Sequence, residues 1–148
     1  MVQLDGKILP GGRFSALGGG TGTTPRKWIG RLNVDGSVDE AFPQGAYPCS
    51  TNEIGVGQTG LTGIALQVDG KIVVVGYRIA ETPAPDITFP EDCVARLNTN
   101  GSVDPSLSTP HQRMLALGVG LQSDGGILVA NHQLAGGNGR AQARVLTS

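Results

Sequence analysis

Apolar residues in this chain fall into short runs separated by polar turns. In "GIALQVDGKIVVVGY" (63–77) two such runs flank Asp69-Gly70. The two read as strands pinched around that turn. The same arrangement opens the chain at "VQLDGKILPGG" (2–12) and returns at "GVGLQSDGGILVAN" (118–131). Asp-Gly between apolar runs is a hairpin signal, since both residues take positive φ at low cost. No segment sustains a 3.6-residue period with caps, so helices are not expected.

A second element follows each hairpin. "IGRLNVDGSVDEAF" (29–42) and "VARLNTNGSVDPSL" (94–107) match through Arg-Leu-Asn, a turn glycine and Ser-Val-Asp. "QARVLTS" (142–148) is a weaker third copy. From Asp5 to Asp69 is 64 residues and from Asp69 to Asp124 is 55, a period in the range of solenoids and propellers. Each unit reads as four strands: 63–67 or 118–122, 71–77 or 127–131, 94–98, and a short one around "SVDPSL". Four antiparallel strands per repeat make one propeller blade. The expected fold is therefore all-β, built from four-stranded antiparallel blades of a partial β-propeller. Another antiparallel β-repeat or a sandwich is the alternative. One domain, 1–148, would hold blade-like units of about 1–42, 61–107 and 115–148.

The pattern "ALQVDGKIVVVG…VARLNTNGSVD" resembles the delta-60 repeat, a bacterial β-propeller blade family found mostly in large, often secreted or surface-associated proteins. Two good copies and one degraded copy cover almost the whole chain. The third lacks the lysine after Asp-Gly and has no fourth strand, and the first starts with only Met1 ahead of Val2. The resemblance implies a fold, and carries no general catalytic motif. Two and a half blades do not close a ring of typically 4–8, so self-association or a neighbouring chain is expected to complete the open blades.

Composition narrows the function classes. Glycine (24) and proline (9) make 22% of 148 residues, concentrated at the turns of the repeat. Net charge is −1, with no basic excess or charge run, which argues against nucleic acid. No stretch reaches the roughly 18 apolar residues of a membrane span, and no signal peptide is visible.

The long connections are the two-to-three loops 12–28, 78–92 and 132–141 and the inter-blade segment 43–60. These emerge on one face of a blade, where repeat proteins often bind. That face would collect Arg13, Phe14, Trp28, Tyr47, Tyr77, Arg78 and Phe89 as candidate ligand residues, a mixture suited to a glycan or a protein segment. For Trp28 and Tyr77, packing between blades is the weightier reading, and Arg26-Lys27 reads as a solvated turn. Cys49 and Cys93 fall on the same face, either as a disulfide or as two free thiols. Without further Cys or His beside them they do not suggest zinc.

Several motifs fail on context. "GVGQTG" (55–60) matches a dinucleotide fingerprint by letter but is followed by a strand pattern, not a helix. Asn100-Gly101-Ser102 is a glycosylation sequon better explained as the repeat's turn. Asp5, Asp69 and Asp124, Asp39 and Asp104, and Arg31, Arg96 and Arg144 recur once per unit, the mark of scaffold rather than of a catalytic acid. The first set is expected to cap its hairpin turns, and the arginines to pair with acids on neighbouring strands. His111 and His132 stand alone, with no nucleophile grouping. The reading is a non-enzymatic recognition or adhesion module, extracellular or surface-associated, without cofactor or metal. The alternatives are a structural component of a larger surface or viral assembly and, behind both, a propeller enzyme.

Overall fold

The computed structural model describes residues 1–18, 23–47, 60–80, 89–107, 109, 112–133 and 140–146. All regular structure in them is β. A two-stranded ladder pairs β1 (Ala16–Leu17) with β2 (Thr24–Pro25). β3 (Gly60–Leu66), β4 (Ile72–Ala80) and β5 (Phe89–Leu97) form one antiparallel sheet. β6 (Met114–Leu121), β7 (Ile127–Gln133) and β8 (Arg140–Leu146) form another. Strands run further from the Asp-Gly turns than the sequence implies. Much of the expected 78–92 loop is strand, with Arg78 opposite Glu91 and Ala80 opposite Phe89.

The units share one line of pairing. Leu66 faces Ile72, Ile72 faces Leu97, and a single bridge adds Val103. In the first unit the same line is Val2, Ile8, Leu32 and Val38, as isolated bridges rather than continuous strands. In the third it is Leu121, Ile127 and Leu146. The described sheets have two or three strands and none closes on itself. Both full sheets carry a β-bulge at the same place, between Leu61 and Gly63 and between Ala116 and Gly118. There the Thr62 hydroxyl donates to Ala116 O (2.6 Å), tying one sheet to the next.

Five turns are built alike. In each, the N–H of a glycine (Gly6, Gly36, Gly70, Gly101, Gly125) donates to the carbonyl three residues back, at 2.8–3.1 Å. These glycines have φ of +82° to +90°, whereas the Asp or Asn before them does not enter the left-handed region. The loops are thus three residues long with a left-handed glycine last, not the two-residue form the dipeptides suggest. Asp5, Asp69 and Asp124 Oδ1 each accept the N–H two residues on (3.0–3.1 Å), which supplies the capping expected of them. Asn100 Oδ1 accepts from Ser102 N and Oγ, so the sequon is a turn of this kind.

Two cores lie on either side of β4. Ile72 and Val74 face the first unit with Leu9, Ile29, Phe42, Tyr47, Cys93 and Leu97. Val73 and Val75 face the third unit with Val94, Ala116, Ile127 and Val129. All four β4 side chains are fully buried, which is why that run is continuously apolar.

The register corrects one equivalence drawn from the sequence. Leu32, Leu97 and Leu146 share a place, so Arg31 and Arg96 are matched by Val145, not by Arg144. "ARVL" holds one residue more than "ARL", and in a strand one residue turns a side chain to the opposite face. Arg144 consequently points back to the second unit, where Nη2 bonds Asp92 Oδ2 at 3.0 Å.

Candidate functional site

Close ion pairs in the first and second units form a repeated device. Asp39 Oδ2 receives Lys7 Nζ (2.6 Å) and Arg31 Nε (2.7 Å). Asp104 Oδ2 receives Lys71 Nζ (2.8 Å) and Arg96 Nε (2.9 Å). Lys7 holds Asp39 below the usual carboxylate range, with Arg31 and the Ala41 amide assisting against burial. Lys71, then Ser106, does the same for Asp104. Arg31 also lies 4.9 Å from the centre of the Phe42 ring and donates to Thr99 O of the next unit (2.6 Å). The lysines were the unread part of this device, although each stands two residues after a hairpin Asp. The third unit has Gly126 at that place.

The expected ligand residues separate. Tyr47 is fully buried rather than on the loop face, and its hydroxyl donates to Gly60 O (3.2 Å). A Cβ on Gly76 would lie 2.3 Å from that hydroxyl and 1.9 Å from Gly60 O, so only glycine admits the contact. Burial and the nearby Tyr77 hold the Tyr47 phenol protonated well above its usual range. Tyr77 is half-buried, its ring beside Gly60. Arg78 is engaged by Glu91 through Nε (3.1 Å) and Nη2 (2.9 Å). Arg26, expected to be solvated, is 7% exposed and donates from Nη1 to Pro25 O. Of Phe89 only the backbone, within β5, is described. Cys93 is buried and disulfide-bonded. Cys49, the other cysteine of the sequence, lies outside the described residues.

Arg13, Phe14 and Trp28 are brought near one another through the backbone, and the Trp28 side chain packs against the first core. Arg13 is exposed, and Phe14 and Trp28 are half-buried. Trp28 N donates to Phe14 O (3.2 Å), and Trp28 O accepts from Gly12 N (2.8 Å). Ile29 N reaches back over Trp28 to Lys27 O at 2.7 Å, with Trp28 at φ +68°. That is a γ-turn of the rare, strained hand, carried by a bulky aromatic, and Trp28 is the one non-glycine with positive φ among the described residues. Nothing in "RKWIG" signals it, since no glycine stands at the turn.

A separate open cleft of about 320 Å³ lies between the first unit and β3, lined by Met1, Leu9, Gly11, Leu61, Thr62 and Ile64. It holds none of the expected ligand residues. Among the described residues, no three His, Cys, Asp or Glu side chains gather where they could hold a metal. No helix among them is long and apolar enough to cross a membrane.

A family model described as a domain of unknown function (DUF5122) beta-propeller matches residues 3–42 and 67–107, more than half of the chain. No curated protein and no solved structure matches.

Proposed function

The chain belongs to the DUF5122 β-propeller family, a domain of unknown function, and from that premise we propose that it is a non-enzymatic recognition module working outside the cell. Its units are read as blades of the delta-60 type, completed to four strands by neighbouring polypeptide. The ligand surface is the Arg13–Phe14–Trp28 corner, taking a glycan or a protein segment.

The observation that carries this reading is the Trp28 γ-turn. A left-handed tryptophan costs about 1–3 kcal/mol and persists only where its surroundings enforce it, as at ligand clamps. Here two backbone bonds fix the Trp28 backbone beside that of Phe14, and the neighbouring Arg13 is exposed. An indole half-buried against the first core and held in advance of binding leaves its exposed part to the CH-rich face of a sugar ring, with the Arg13 guanidinium supplying hydrogen bonds. The buried carboxylates Asp39 and Asp104, by contrast, serve the repeated ion pairs. The disulfide of Cys93 supports an oxidising compartment.

The test is a glycan array probed with the wild-type chain and with Trp28→Ala and Tyr77→Ala. Loss of signal in Trp28→Ala, with the far-ultraviolet β spectrum retained, is the expected result. An unchanged Trp28→Ala signal overturns the assignment. The exposed apolar end faces described next favour a second reading, a structural part of a larger surface or viral assembly, for which the wild-type array would be blank.

A further inference from the structure

Each full sheet has one face toward the preceding unit and one toward the following unit. On the second sheet the following face carries the rows Ala65–Val73–Arg96 and Gly63–Val75–Val94. The third sheet covers it, leaving Val73 and Val75 with no exposed surface and Val94 with 6%. By register, the matching rows on the third sheet are Gly120–Leu128–Val145 and Gly118–Ala130–Ala143. Every residue in them is apolar or glycine, because the one-residue shift in β8 has put Val145 where the second sheet has Arg96. Nothing described covers this face: Val145 is 51% exposed and Leu128 37%.

The opposite end shows the counterpart. The preceding face of the second sheet is Leu66–Ile72–Leu97, packed on the first unit, with Ile72 fully buried. Its match in the first unit, Val2–Ile8–Leu32, has Val2 64% and Ile8 36% exposed. Contiguous apolar sheet faces left uncovered mark interaction sites. The two here are not copies of each other. They are the two halves of a junction that this chain already makes twice internally.

We infer that a second copy of this chain docks head-to-tail, the Leu128–Val145 face of one copy against the Val2–Ile8–Leu32 face of the next. The inference rests on the reading of the units as stacked blades completed by a neighbour, and is independent of any ligand. A pairing of unlike faces is heterologous, and it closes into a ring or runs on as a filament according to its rotation. With Val145 in place of arginine the junction is almost wholly apolar.

The experiment is light scattering on the full chain over a concentration series, with Val2→Glu and Val145→Glu, each checked by its far-ultraviolet spectrum. Ile8→Glu is a second variant on the first face should Val2→Glu misfold. The wild type is expected above its 15.2 kDa chain mass, and each variant alone at that mass. An equimolar mixture of the two variants should recover a twofold mass, because each retains the face that the other has lost. A folded wild type that stays monomeric at every concentration overturns both the completing neighbour and the head-to-tail junction. An assembled wild type that Val145→Glu disrupts and Val2→Glu and Ile8→Glu leave intact overturns the junction alone, as does a mixture that stays monomeric.

Discussion

Gly76 is where the packing of the first unit against the second is most exacting. It sits on β4 opposite Leu61 and Cys93, one place along from the Gly60–Tyr77 pair, and the Tyr47 hydroxyl comes down onto it. An alanine methyl there would meet that hydroxyl at 2.3 Å and Gly60 O at 1.9 Å, and the second of these is backbone in a paired strand. Overpacking of this sort costs about 1–3 kcal/mol, and driving Tyr47 from its bond to Gly60 O adds about 1 kcal/mol. Gly76→Ala should thus destabilise by about 3 kcal/mol. For a domain of this size that corresponds to a fall in Tm of roughly 6–12 °C. The control is Gly118→Ala, where an added Cβ meets nothing within 4 Å. At dilution, where the chain is monomeric, that change should be neutral or stabilising by about 0.5 kcal/mol. Adding Tyr47→Phe to Gly76→Ala should recover only the hydroxyl's share, since Gly60 O stays in the way. Equal Tm values for the two alanine variants would refute the close approach, and with it the placing of Tyr47 as an inter-unit anchor.

Two further outcomes are expected. Asp39 and Asp104 have folded values below the usual 3.8, so the stability they confer is complete above that value and is lost as pH falls through the folded values. Denaturant midpoints should therefore drop steeply on acidification below about pH 4, and the drop should flatten in an Asp39→Asn, Asp104→Asn double variant; a wild type flat to pH 2 would contradict it. The native chain should show no reactive thiol, and Cys49→Ser should release one, at Cys93; a Cys93 still blocked in that variant would mean that its bond goes elsewhere.

The repeat and its hairpins were legible because their signals are local. Asp-Gly or Asn-Gly lies within a few residues of everything it organises, and the capping oxygen acts only two residues away. The form of the loop was not legible, since the same dipeptides serve loops of two residues and of three. Tyr47 looked like a surface aromatic because its partners, Gly60 and Gly76, are contributed by the following unit. Arg144 looked like a repeat of Arg96 because letters align through an inserted residue, whereas side chains in a strand do not. The fourth strands, read as short strands, are single bridges at Val38 and Val103. The candidate site was half legible: Arg13, Phe14 and Trp28 were singled out, but the γ-turn that fixes Trp28 needs bonds from Gly12, Phe14 and Lys27 together.

β4 belongs to both cores at once, Ile72 and Val74 to one and Val73 and Val75 to the other. In a stack of units coupled only to nearest neighbours, cooperativity lives in the interfaces. A middle strand that is itself half of each interface cannot let one core melt while holding the other in order. Loosening either face frees the alternation that positions the opposite face. The three units should accordingly behave as a single melting unit, with the first unit, poor in continuous strand, kept in order by a strand that it does not own.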